Sequence, residues 1–132
     1  MRMFCAVAVG AAAGGVSRFY LATAIQQRLG ASFPWGTIAI NLTGSLLLGF
    51  IMRYALATPA VSIEMRALLT TGFCGGYTTF STYSYETAML LEDGQFGRAA
   101  TYALGSVVLA LAGLYGLWAI WAYGFANFQF NI

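Results

Sequence analysis

Residues Gly72 to Glu86 read GFCGGYTTFSTYSYE, a run of glycines, hydroxyls and aromatic rings in the middle of an otherwise greasy chain. Inside lipid every backbone N–H and C=O needs an internal partner, so polar or irregular backbone survives only where it faces protein or lines a water-filled path. The stretch is therefore read as a broken membrane helix, and as a candidate pore or binding site. The rest of the chain supports a membrane reading. It is 60% hydrophobic and 8% charged, with mean hydropathy +0.74 over 132 residues, more apolar surface than a soluble domain of this length could hide. Charge-free blocks run from Met3 to Ser17, Leu29 to Met52, Ala67 to Tyr85 and Ala99 to Ile132. Each is near the roughly 20 residues that span a bilayer.

These blocks give an all-α membrane protein, one domain over 1–132, with four transmembrane helices and a broken third. The first helix is expected from Met3 to Gln27, ended by Gln26, Gln27, Arg28 and Gly30. Pro34 suits the first turn of the second, which continues to about Leu56. Thr58-Pro59 breaks the chain there, and Ser62 caps the third helix, with Glu64 in its first turn at the positive end of the dipole. That helix reaches about Leu91. Glu92, Asp93 and Gly94 make a short turn, and the fourth helix runs from about Phe96 to Phe125 before a polar, aromatic tail. A signal-peptide reading of the N-terminus fares worse, because cleavage near Ala13 would leave Gly14 to Gln27, too short to span.

Composition also excludes functions. Histidine is absent and the acids are Glu64, Glu86, Glu92 and Asp93, so acid–base pairs and His-rich metal sites lack raw material and an enzyme is not expected. The arginines are scattered, which leaves no footprint for nucleic acid. Cys5 and Cys74 read as isolated small hydrophobes.

Small residues at four-residue spacing, Gly10 with Gly14, Ala11 with Gly15 and Ser45 with Gly49, predict close helix contacts. The arginines divide evenly: Arg2, Arg53 and Arg66 on the side of the N-terminus, Arg28, Arg98 and the deeper Arg18 toward the other. Membrane proteins normally bias positive charge to the cytoplasmic side. Without that bias the chain is expected to insert both ways, and two opposed copies would pair about a two-fold axis in the membrane plane, an antiparallel dual-topology homodimer.

Gly75-Gly76 and the threonines after them weaken the helix at mid-membrane depth. Unwinding would free carbonyls for a cation and N–H groups for an anion, and either sign of ion is open. Beyond the break Phe80 and Tyr83 share a face, next to a polar stripe of Thr79, Thr82 and Glu86. Ring edges carry partial positive charge and hydroxyls replace hydration, a combination suited to a small anion. Asn41 and Arg18 are costly in lipid unless protein or water receives them, although Arg18 could instead snorkel to the headgroups. Glu86 could reach the interface as a vestibule charge, and Tyr102 with Ser106 could continue the polar track.

PWGTIAINLTGSLLLG (Pro34 to Gly49) and TTGFCGGYTTFSTYSYE (Thr70 to Glu86) resemble the two signatures of the CrcB or Fluc fluoride-channel family. The likeness extends over essentially the whole chain, through GxxxGxxxR (Gly10, Gly14, Arg18) and TYALGS (Thr101 to Ser106). It implies a fluoride channel of the cell membrane (inner or plasma), multi-pass, with two antiparallel pores in a dual-topology homodimer and a structural sodium ion (Na+) on the two-fold axis. By the same resemblance the carbonyls of Gly75 and Thr78 hold sodium, Asn41 donates to fluoride and Phe80 offers its ring edge. Ser81, Thr82, Tyr102 and Ser106 supply hydroxyls, and Arg18 sits in the vestibule. Tyr83 departs from the family, which usually has phenylalanine there. Its hydroxyl either points away or meets the ion. The rival reading, a proton-coupled small multidrug transporter, wants a carboxylate in the first helix, where this chain has Arg18 and no acid.

Overall fold

The computed structural model describes residues 1–58 and 60–129. Pro59, the expected breaker after Thr58, and the last residues of the expected tail, 130–132, lie outside the described residues. Helix α1 covers Arg2–Leu29 and α2 Trp35–Ala57. The third span is segmented: α3 (Ile63–Ala67), a π-helix (Leu68–Cys74), α4 (Gly75–Tyr77) and, beyond an extended break, α5 (Phe80–Glu92). Helix α6 runs from Phe96 to Gln129, past the expected end at Phe125. Among the described residues all regular structure is helical. Three helices are long and apolar enough to cross a membrane unbroken, and the third span crosses in pieces.

Local chemistry explains the boundaries. The Gln26 amide, still within α1, ties the first loop by donating to the carbonyls of Gly30 (2.6 Å) and Phe33 (2.8 Å) and accepting from the Gly36 N–H (3.0 Å). Ser62 caps α3 by accepting from the Met65 N–H at 3.2 Å, as its position before Glu64 predicts. The α5–α6 turn closes through Gly94 at φ 72°, a left-handed conformation that costs glycine little. Arg98 at the start of α6 reaches the Ser32 carbonyl (3.4 Å), which puts the first loop and the α5–α6 turn at one end of the bundle.

Helix α1 lies along the π-helix and α4, while α2 and α5 lie along α6. Gly10 and Gly14 are buried in the first of these contacts. A Cβ on Gly10 would sit 2.2 Å from the Leu68 carbonyl oxygen and one on Gly14 2.2 Å from that of Phe73. From the other side, a Cβ on Gly76 would come within 2.5 Å of the Ala11 carbonyl. Such backbone-to-backbone approach is how helices associate where lipid removes the hydrophobic drive between them. The Gly15 half of the Ala11/Gly15 pair faces open space, so that expected contact is not made. Phe19, Val108, Leu111 and Ile120 point outward, as lipid allows.

The glycine contact predicts a sharp asymmetry. Gly14→Ala is expected to cost about 1–3 kcal/mol through overpacking against backbone that cannot step aside, and Gly15→Ala to be neutral. Thermal unfolding of the two variants in detergent measures the difference.

Candidate functional site

The break falls at Thr78 (φ −87°, ψ 162°) and Thr79 (φ −149°, ψ 116°), both extended. It lies inside the window expected from sequence but at the threonines, not at Gly75-Gly76. Those glycines remain helical, and Gly76 serves the close contact with α1. Two extended residues at mid-membrane leave backbone groups without helical partners, and Asn41 of α2 supplies them. Its Oδ1 accepts the Thr79 N–H at 2.8 Å and its Nδ2 donates to the Thr79 carbonyl at 3.1 Å. The Thr79 side chain starts α5 as its N-cap, accepting from the Thr82 N–H at 3.1 Å.

Two carbonyls change their circumstances at the break. In a continuous α-helix the Thr79 N–H would go to Gly75. It goes to Asn41, so the Gly75 carbonyl loses that donor. The Thr78 carbonyl accepts from Arg18 Nη1 at 3.3 Å. Arg18 is half-buried, and eleven residues, about 16 Å, separate it from Leu29. Its guanidinium sits at the break, not at the headgroups.

Beside the break lies a cavity of about 550 Å³, open on one side. Asn41, Gly75, Thr78, Phe80, Tyr83 and Ser106 all line it. Ser106 is 8% exposed, and its Oγ is buried with no hydrogen-bond partner among the described residues. An orphaned hydroxyl is costly unless a guest or water completes it. One Asn41 N–H is engaged by Thr79, and an amide carries two. The cavity therefore offers spare neutral donors.

Phe80 is 79% exposed, and its ring centroid is 5.6 Å from that of Tyr83. The Tyr83 hydroxyl donates to the Ala103 carbonyl on α6 at 3.0 Å. Of the two alternatives left by sequence, it takes the one in which only the ring borders the cavity. Tyr102 is fully buried, 5.3 Å from Tyr83 between ring centroids, and its hydroxyl donates to Glu86 Oε2 at 2.5 Å. Thr37 Oγ1 donates to Glu86 Oε1 at 3.0 Å. The carboxylate is thus held inward between α2 and α6 by two charge-assisted bonds, not extended to the interface. Ser81 and Thr82 are exposed on the first turn of α5, outside the cavity lining, where the Thr79 hydroxyl lies 3.2 Å from Ser81 Oγ and donates to Thr82 Oγ1 at 3.0 Å.

Sequence reasoning gave no site role to Thr37, which binds Glu86, or to Ser45 and Cys74, which line the cavity. Thr37 and Ser45 stand one helical turn either side of Asn41, so an i, i+4 reading of α2 outward from the amide would have found them. Cys74, expected to be buried, is, and it also lines the cavity.

The third span thus opens, at its break, onto a cavity of neutral donors and ring edges. A family model described as CrcB-like protein, Camphor Resistance (CrcB), matches residues 5–118. The chain belongs to the CrcB family. It is 50% identical over 113 residues to a protein of Geobacter sulfurreducens named fluoride-specific ion channel FluC, covering 86% of this chain and 91% of that one. Proteins of the same name from Chlorobaculum tepidum (48% identical, 87% and 90% covered) and Aquifex aeolicus (45%, 84% and 90%) are similar over the same extent. The protein is accordingly a multi-pass integral membrane protein.

Asn41→Ala orphans both the Thr79 N–H and its carbonyl, at about 1–3 kcal/mol for each buried group. A marked loss of thermal stability in detergent is expected. Ser45→Ala, on the same face, is expected to change little.

Proposed function

We propose that the chain is a fluoride channel that exports the ion passively from the cytoplasm, working as an antiparallel dual-topology homodimer with two pores. The observation that carries this reading is the cavity at the Asn41–Thr79 break, where the partnerless Ser106 hydroxyl and the spare Asn41 N–H meet the rings of Phe80 and Tyr83. A small, strongly hydrated anion must be given donors in place of water, yet held weakly enough to leave. Hydroxyl, amide and ring edge meet both demands, each being a neutral or partial positive group. Arg18 is close but donates to Thr78, so no guanidinium need trap the ion. The Tyr102 and Thr37 hydroxyls, both donating to Glu86, continue a polar track from the cavity toward the first loop, while Ser81 and Thr82 are exposed on the first turn of α5.

The open side of the cavity and the exposed Phe80 support a second copy as the missing wall. Two copies in opposite orientation agree with the even split of the arginines. Fluoride enters cells as neutral HF, dissociates in the less acidic cytoplasm and leaves through the pore, so no energy source is required.

The donor set at the break fits a structural sodium ion. Neutral carbonyl oxygens are hard ligands suited to it, and Gly75's is freed of its helical donor. Thr78's already accepts from Arg18, which leaves its second lone pair. Gly75 and Thr78 of both subunits would hold the ion, whose charge would bind the carbonyl ends of two breaks together.

Proteoliposomes followed with a fluoride electrode are expected to release fluoride and retain chloride, and Phe80→Ile to slow release more than tenfold with the dimer intact. Equal release of both anions would sink the channel reading, and undiminished flux in the variant would remove Phe80 from the pore. Rigorous replacement of sodium by N-methylglucamine is expected to abolish flux or weaken the dimer, and indifference to it would count against the sodium site.

A further inference from the structure

At the opposite end of the bundle from the α5–α6 turn, a second pocket of about 130 Å³ lies between α2 and α6. Arg53 is its one charged residue, among Gly49, Leu117, Trp118 and Trp121, with Phe50 and Ile120 exposed at its edge. The Arg53 guanidinium lies 4.4 Å above the Trp121 ring, and its Nε is buried with no hydrogen-bond partner among the described residues. Trp118 is fixed beside it, its indole N–H donating to the Gly49 carbonyl at 3.4 Å.

Depth says what this site faces. Helices α2 and α6 begin at the same end of the bundle, where Arg98 meets Ser32. From Trp35, Arg53 is eighteen residues along α2, about 27 Å. From Phe96, Trp118 is twenty-two residues along α6, about 33 Å. A hydrocarbon core is about 30 Å thick, so both helices bring the cluster to the far membrane boundary. Tyr54, Tyr115 and Tyr123 accompany the two tryptophans there, an interfacial aromatic belt.

We propose that Arg53 and this pocket seat the phosphate of an anionic membrane lipid. A half-buried guanidinium whose Nε has no hydrogen-bond partner among the described residues calls for an anion, and the abundant anion at this depth is the lipid headgroup. The rings supply one face to the guanidinium by cation–π attraction and leave its hydrogen-bonding edge for phosphate. The volume lies well under the roughly 300 Å³ at which pockets for whole small molecules begin, so it suits a phosphate group with the acyl chains outside along Phe50 and Ile120. An anionic headgroup such as phosphatidylglycerol has no choline to repel Arg53.

The test is competition for the full-length protein, purified in mild detergent, between phosphatidylglycerol and phosphatidylcholine of identical chains, read by native mass spectrometry. Phosphatidylglycerol is expected to be retained roughly fivefold over phosphatidylcholine, the worth of one interfacial arginine, and Arg53→Gln to bring the two to parity. Arg66→Gln, whose guanidinium donates from Nε to the Val61 carbonyl at 3.3 Å, is expected to keep the preference. Parity in the unmodified protein overturns the proposal without recourse to any variant, and so does a preference that persists in Arg53→Gln. Millimolar inorganic phosphate is expected to leave lipid retention unchanged. Displacement of phosphatidylglycerol by it would assign the pocket to a free anion instead.

Discussion

The whole arrangement depends on one carboxamide meeting one stretch of extended backbone. In lipid an unpaired peptide group has no water to turn to, and a helix cannot open at mid-membrane without a donor and an acceptor brought from elsewhere. Asn41 brings both, on a side chain short enough to stay fixed on α2, and spends them on the N–H and carbonyl of the same residue, Thr79. A hydroxyl could serve both groups only through one atom, and a charged side chain would add a desolvation cost. The amide is neutral and has one N–H to spare.

Opening the helix there has consequences on both sides of the break. Upstream, the π-helix from Leu68 to Cys74 and the turn of α4 present Gly72 and Gly76 to Gly10 and Ala11 of α1, and the backbone of Phe73 and Tyr77 to Gly14. The approach is close enough to carry Arg18 to the Thr78 carbonyl, where a half-buried cation meets the negative end of a terminated helix. Downstream, α5 restarts with Thr79 as its cap and swings Tyr83 against α6. Packing of glycines and capping by a threonine thus hold the break open from either side, while Asn41 satisfies its middle.

Much of this was legible in the residues. Hydropathy and charge spacing located four spans, and the polar run from Gly72 to Glu86 located the interruption, because both signals are local. The position of the break was not local. Gly75-Gly76 is the weaker helix former, yet both glycines stay helical, with α1 packed on Gly76, and the chain opens where Asn41 can reach it. For the same reason the inward turn of Glu86 escaped notice: its partners Thr37 and Tyr102 stand 49 and 16 residues away, on two other helices. The π-helix, which lies along α1, left no mark in the sequence. Ser106 was found by its spacing from Tyr102, but that its hydroxyl lacks a partner is a property of the packing alone.

Tyr83 shows how a phenol can line a cavity without adding its hydroxyl to the surface. A phenol carries a strong donor that a phenyl ring lacks, and a hydroxyl aimed at a small anion would hold it more firmly than a ring edge can. The carbonyl of Ala103 prevents this. A helix carbonyl has a second lone pair even when its own helical bond is made, and the hydroxyl donates to it at 3.0 Å. The ring edge stays at the cavity while the donor is committed to α6, so α5 and α6 gain a hydrogen bond and the cavity gains none. Ser106, which has no such acceptor among the described residues, keeps its hydroxyl unpaired there. The difference between these two hydroxyls, one consumed by the scaffold and one left over, separates a group that positions the cavity wall from a group free to meet a guest.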